Sequence, residues 1–301
     1  MLYVSLQIAF VILTTLIVPI LDGIERKIKA KLHSRIGPPI LQTWYDIRKL
    51  FAKELVLTRT AFPILLVSLV MVGLCILTLL VIPAGSSWTF FSSISLPLLI
   101  VLIASIHSLI IITSIVSDNL YAIIGGFREL TIGIINEIAL IIALVLTLIN
   151  VGLGYSGSQI ITGITGIKVS YISAVILLAI SSYVASGRIP FDLGEAEPEL
   201  ASGVLIELSG PVLGTVLYSI ILKRFIFASI TALALFLPFM RLLNPLLAFI
   251  LFILLIIAVW IVHAVTAVLL GRSRVDIATR TLICVYIALI FLSTIFIGVG
   301  L

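Results

Sequence analysis

The chain has 301 residues, of which 62% are hydrophobic and only 10% are Asp, Glu, Lys or Arg. Soluble domains carry roughly 25% charged residues, so an ordinary soluble enzyme is excluded and one polytopic helical membrane domain over 1–301 is expected. The formal net charge of +5 sits mainly in the loops of one side, where it reports topology and not a nucleic-acid footprint.

A helix crosses the bilayer core with about 20 apolar residues. Runs of that kind fall at 2–21, 61–82, 96–116, 131–150, 170–186, 211–238, 246–270 and 281–300. The expected fold class is therefore an all-α integral membrane protein with about eight transmembrane helices and both termini on one side. The first run has no basic region before it and no small-residue cleavage site after it, so it reads as a retained span and not a signal peptide.

The segment 23–60 holds nine basic residues: Arg26, Lys27, Lys29, Lys31, Arg35, Arg48, Lys49, Lys53 and Arg59. Loops on the same side add Arg128, Arg188, Arg272, Arg274 and Arg280, against Lys168 and Arg241 opposite. The positive-inside rule makes the charged face cytoplasmic and puts both termini outside the plasma membrane. Within 23–60, Glu25-Arg26-Lys27 closes span one and Gly37-Pro38-Pro39 breaks the chain. From Leu41 to Leu55, Leu41, Trp44, Tyr45, Ile47, Leu50 and Phe51 recur at helical spacing, with Asp46, Arg48, Lys49 and Lys53 opposite. That pattern predicts an amphipathic helix in the bilayer interface. The long loops 23–60, 117–130 and 187–210 mix acids with bases, which fits docking of a soluble partner better than contact with headgroups alone.

Charges inside spans point to function by their cost. Glu137 lies in span four and suits a proton relay or a polar axis. Lys223 and Arg224 interrupt the run 211–238, which is either one long span or two half-segments bent around them. A buried lysine can exchange protons, which makes Lys223 a relay candidate. His107 and His263 read first as packed polar residues. Cys75 and Cys284 lie in apolar runs with no metal or disulfide spacing, so no cofactor is expected in this chain.

The stretch Arg188–Gly210 carries Asp192, Glu195, Glu197, Glu199 and Glu207. Glu195 and Glu199 are four apart and would share a helical face, with Glu207 eight further on. Pro198 argues for a break or a helix start between them. Like charges this close raise one another's pKa, which suits passing protons.

The run RIPFDLGEAEPELASG, followed by IELSGP, resembles the signature of the complex I subunit 1 family. Three other segments agree in order: Glu25-Arg26-Lys27 with Arg35-Ile36-Gly37-Pro38, Ser117 to Ala122 through Arg128 and Glu137, and Gly271-Arg272-Ser273-Arg274-Val275-Asp276. The resemblance spans essentially the whole chain. Two departures separate it from quinone enzymes. The first loop is short, and Val184, Ala185, Ser186 and Gly187 stand where quinone-type members tend to carry a Glu. Both features resemble the branch of energy-converting membrane-bound [NiFe] hydrogenases and sulfane-sulfur-reducing relatives.

The resemblance implies a coupling subunit beneath a soluble arm that passes ferredoxin electrons through [4Fe–4S] clusters to a NiFe or derived centre, all in partner chains. Hydrogenase-like large and small subunits would dock on the cytoplasmic face, and antiporter-like subunits would adjoin in the membrane. Carried over, Asp192, Glu195, Glu197, Glu199, Glu207 and Glu137 would relay protons, while Arg26, Arg35, Arg128, Arg188, Arg272, Arg274 and Asp276 would hold the arm. Lys223 joins the relay by position, not by motif. The alternatives are a quinone-site subunit of a respiratory NADH:quinone oxidoreductase and an independent secondary transporter. The lack of an internal repeat disfavours the transporter.

Overall fold

A computed structural model of the chain describes residues 2–55, 61–84, 95–117, 119–151, 168–192, 194, 203, 205 and 208–299. In lipid a backbone must satisfy its own polar groups, so the apolar runs fold as helices. In chain order these are α1 Leu2–Leu32, α2 Gln42–Phe51, α3 Ala61–Val81, α4 Ser95–Val116 and α5 Leu120–Val151, then α6 Val169–Ala185 and α7 Gly210–Phe236. A 3-10 turn Leu237–Leu242 leads to α8 Pro245–Leu269 and α9 Val275–Val299. Among the described residues, seven helices are long and apolar enough to cross a bilayer, and α6 is a shorter apolar helix of 17 residues. The chain is an all-α, multi-pass membrane protein.

Three helix boundaries differ from the sequence expectation, always on the charged side. α1 runs on to Leu32 where the apolar run ends at 21, α5 starts at Leu120 and not at 131, and α9 starts at Val275 and not at 281. Hydropathy marks where a helix leaves lipid, not where it stops. At about 1.5 Å per residue, the 31 residues of α1 and 32 of α5 span well over the ~30 Å hydrocarbon core. The surplus turns carry Glu25 and Arg26 on α1 and Arg128 and Glu129 on α5. The expected amphipathic helix is shorter than its pattern, 42–51 and not 41–55, and buries Thr43 and Ile47. It packs on α1 and α7, and Trp44 Nε1 donates to the Leu16 carbonyl at 3.2 Å.

α7 is the centre of the bundle. It packs against α1, α2, α3, α6 and α8, and nearly all of its residues are buried. It continues unbroken through Lys223 and Arg224, which decides for one long helix over two half-segments. Lipid tails are as apolar as a leucine side chain, so such a helix is held by close packing and interhelical hydrogen bonds. Ser68 and Thr215 join α3 to α7 through their hydroxyls at 2.9 Å, and Ser182 and Thr231 join α6 to α7 likewise. Large apolar side chains such as Ile12, Leu16, Leu254 and Phe291 remain exposed on the outer helix faces, where lipid would lie.

Candidate functional site

One ion pair of the described residues is both short and buried. Arg188 Nη2 lies 2.7 Å from Glu25 Oε2, and the two side chains are 1% and 2% exposed. Local sequence explains how an arginine reaches this depth. α6 ends through Gly187, whose φ of +63° is left-handed, a conformation that glycine adopts without Cβ strain and that commonly closes helices. The turn aims the next residue back into the bundle. Arg188 Cζ then rests 4.4 Å from the Trp260 ring centroid, a cation–π geometry. Lys29 Nζ sits 3.0 Å from Glu25 Oε1. Burial lowers the Arg188 pKa from its ordinary value and the Glu25 carboxylate opposes that; arginine stays charged at any physiological pH.

The segment after Arg188 is clamped from three directions. Tyr183 donates its hydroxyl to the Ile189 carbonyl. Ser273 Oγ donates to the Pro190 carbonyl at 3.0 Å. Arg272 Nη2 donates to Asp192 Oδ2 at 3.1 Å, with side chains 32% and 18% exposed. The entry to the acidic stretch is therefore tied to α6 and to the α8–α9 connection.

A second interior pair is looser. Lys223 Nζ lies 3.7 Å from Glu129 Oε1, with side chains 4% and 21% exposed. That is within electrostatic reach but beyond hydrogen-bond length. A cavity of about 20 Å³ opens beside both, lined also by Gly187 and Asp192, and such a volume holds about one water. Gly187 links this pair to the first: a Cβ there would lie 3.7 Å from Lys223 Nζ.

Deeper along α5, Glu137 is half-buried, and its Oε1 is buried with no hydrogen-bond partner among the described residues. It lines a cavity of about 10 Å³ with His107 and Asn136. Asn136 Oδ1 accepts from the Tyr286 hydroxyl at 2.5 Å, which fixes the amide.

The sequence-derived residues thus separate into groups. Asp192, Arg188 and Arg272 come together at one end, and Lys223 reaches the same region from α7. Glu137 stands apart, eight residues beyond Glu129 on α5. Arg26 pairs with Asp22 and Asp46, both at 3.0 Å. Arg128 is half-buried on α5, in a segment read from sequence as a loop. Arg35, Arg274 and Asp276 are exposed, Asp276 in the first turn of α9. Glu195, Glu197, Glu199 and Glu207 lie outside the described residues. Among the described residues, no group of three or more His, Cys, Asp or Glu could hold a metal ion.

Three contributors escaped the sequence reading. Glu129 was hidden in that supposed loop, although its spacing of eight from Glu137 placed both near one helical face. Glu25 showed as a boundary marker and not as the buried partner of Arg188. Trp260 looked like one more apolar residue of α8.

Comparisons with known proteins agree with this architecture. The sequence model of the family described as NADH dehydrogenase matches residues 5–298. The chain is 31% identical to hydrogenase-4 component C of Escherichia coli (strain K12) over 245 residues, covering 79% of this chain and 76% of that protein. It is 31% identical to NADH-ubiquinone oxidoreductase chain 1 of Chondrus crispus over 217 residues, covering 65% of each. Its fold matches a chain in the structure of the membrane-bound sulfane sulfur reductase, an archaeal respiratory membrane complex, with a TM-score of 0.83 at 24% identity, over 98% of this chain and 99% of that one.

Proposed function

The chain belongs to the NADH dehydrogenase family, and from that membership we propose that it is the membrane-anchor and coupling subunit of a ferredoxin-dependent respiratory complex of the membrane-bound hydrogenase or sulfane sulfur reductase type. It sits in the plasma membrane with its charged face cytoplasmic. A soluble arm of hydrogenase-like large and small subunits docks there, carrying the [4Fe–4S] clusters and a NiFe or derived centre. Antiporter-like subunits adjoin it in the membrane and move H⁺ or Na⁺.

The observation that carries this reading is the loose Lys223–Glu129 pair inside a largely apolar bundle. Intramembrane ionisable residues are costly and mark ion or proton routes. The contrast with Glu25–Arg188 supports separate roles for the two pairs. At 2.7 Å, buried and stacked on Trp260, Arg188 is a lock. At 3.7 Å beside a water-sized cavity, Lys223 and Glu129 are free to trade a proton through one water. Lys223 can give a proton to Glu129, and Glu137 offers the next carboxyl on the same helix. Asp192 supplies the entry side, continued by Glu195, Glu197, Glu199 and Glu207. Exposed Arg35, Arg274 and Asp276 face the arm, and Arg272 holds Asp192 in place.

The second reading, that of a quinone-site component, has the similarity to NADH-ubiquinone oxidoreductase chain 1 in its favour. Against it stand the short first loop and the run Val184-Ala185-Ser186-Gly187, where quinone-type members tend to carry a Glu. Purification of the intact complex distinguishes the two. A cluster-binding partner with Ni-ligating cysteines and ferredoxin-driven turnover insensitive to quinone-site inhibitors is expected; inhibition would reject the hydrogenase-type assignment. Glu199→Gln and Glu207→Gln are expected to abolish ion translocation in an assembled complex, and retained pumping in both would remove them from the relay.

A further inference from the structure

Glu129, Gly133 and Glu137 follow one another at intervals of four on α5, so they line one face. His107 of α4 packs on that face at the middle position. A Cβ at Gly133 would overlap His107 Nε2, so this imidazole lies directly on the helix backbone between the two carboxylates. The histidine is 7% exposed, and Nε2 is buried with no hydrogen-bond partner among the described residues. On one side of it, a cavity of about 20 Å³ is lined by Thr113, Ser114 and Glu129. On the other, the cavity of about 10 Å³ is lined by His107 itself, Asn136 and Glu137, where Glu137 Oε1 is the second unpartnered buried atom. The seam between α4 and α5 therefore has a water-sized space at each carboxylate and an imidazole between them.

We propose that His107 carries protons between the Glu129 and Glu137 ends of this seam. The inference rests on the coupling role assigned above and adds the group that joins its two halves. Glu129 and Glu137 are about 12 Å apart along the helix axis at 1.5 Å per residue, too far for direct transfer. Imidazole accepts a proton at one ring nitrogen and releases another from the second, which makes it a shuttle where two donors cannot meet. In the forward step protonated Glu129 gives its proton, by way of water along the seam, to one nitrogen of His107. The ring loses the proton on its other nitrogen to the Glu137 carboxylate. Only N–H and O–H bonds form and break, and no electron moves. Gly133 is the permissive residue, since any side chain there would push the imidazole off the seam.

The test uses the assembled complex in proteoliposomes, with electrons supplied by reduced ferredoxin and ion translocation read separately from electron transfer. His107→Leu and His107→Gln are expected to keep the complex assembled and electron flow measurable while translocation falls about 100-fold, within the range for loss of a proton-transfer group. His107→Gly should show the same loss and regain translocation on addition of free imidazole, which a purely structural histidine would not produce. Gly133→Ala should reproduce the loss with His107 intact. Wild-type translocation in His107→Leu and His107→Gln, with translocation abolished in Glu137→Gln, would overturn the role of His107 and leave the coupling assignment standing. Wild-type translocation in Glu137→Gln would overturn the coupling assignment, and this inference with it.

Discussion

Replacing Arg188 by Met removes the charge and keeps most of the length, so it isolates what the buried pair contributes. Both members of the Glu25–Arg188 pair are essentially inaccessible, at 2% and 1%. Breaking a buried pair from one side costs about 3–5 kcal/mol, because the remaining charge is left without its partner. The cation–π contact with Trp260 adds up to about 2 kcal/mol where it is desolvated. Lys29 offsets part of the loss, since its ammonium already sits 3.0 Å from Glu25 and can follow it. The net expectation for Arg188→Met is a loss of about 3–5 kcal/mol. Arg272→Ala breaks the partly exposed pair with Asp192 and should cost no more than about 1 kcal/mol.

Equilibrium unfolding in mixed micelles, run on Arg188→Met, Arg272→Ala, Glu25→Gln and the double variant Glu25→Gln with Arg188→Met, measures these terms. The double variant should be clearly less destabilised than the sum of its singles, giving a coupling energy of about 2–3 kcal/mol. Coupling near zero, or a cost for Arg188→Met no larger than that for Arg272→Ala, would refute the lock and leave Arg188 as an ordinary buried arginine.

Three further outcomes follow from the same geometry. Gly187→Ala forces a Cβ into a φ of +63° and should cost about 1–2 kcal/mol of stability; the contact with Lys223 Nζ at 3.7 Å is ordinary, so Gly187→Asn should cost measurably less in the same unfolding assay. Lys223→Met should leave electron transfer intact and suppress ion translocation in proteoliposomes, while Glu129→Gln, which strands a lysine only 4% exposed, should also lower stability by about 1–3 kcal/mol. Arg35→Ala combined with Arg274→Ala should let the soluble arm wash from membranes at lower salt than wild type, because exposed charges are screened within about 10 Å at 0.1 M; unchanged retention would remove those two residues from the docking surface.

Hydropathy alone made most of the fold legible, because lipid permits few alternatives to a spanning helix. The helix ends on the charged face were not legible, and for one reason. A helix turn that carries Glu25 or Glu129 looks like a loop until a partner for the carboxylate is known, and Arg188 and Lys223 are distant in sequence. The exposed arginines were readable as surface charge. Arg188 was not readable as interior, since nothing in its sequence context says that Gly187 turns it inward onto Trp260. Glu137 announced itself because an acid in an apolar run has no ordinary explanation. Its neighbour His107 did not, since a lone histidine carries meaning only when its position on the opposing helix face is known.

The arrangement gives a physical route from the docking face to the interior, and it runs through one turn. Asp192 is held by Arg272, and the Pro190 carbonyl by Ser273, both from the α8–α9 connection. That connection continues into exposed Arg274 and Asp276. Five residues back from Asp192, Gly187 abuts the Lys223 ammonium, and the residue between Gly187 and the clamp, Arg188, is anchored to Glu25. A shift of the clamped segment by a docked arm would pivot about the Arg188 anchor and change the surroundings of Lys223, whose pairing with Glu129 at 3.7 Å has slack to close or to open. An ångström at that distance decides between a hydrogen-bonded pair and a separated one. In such a shift the tight pair would be the fixed point that lets a small displacement act on the loose one.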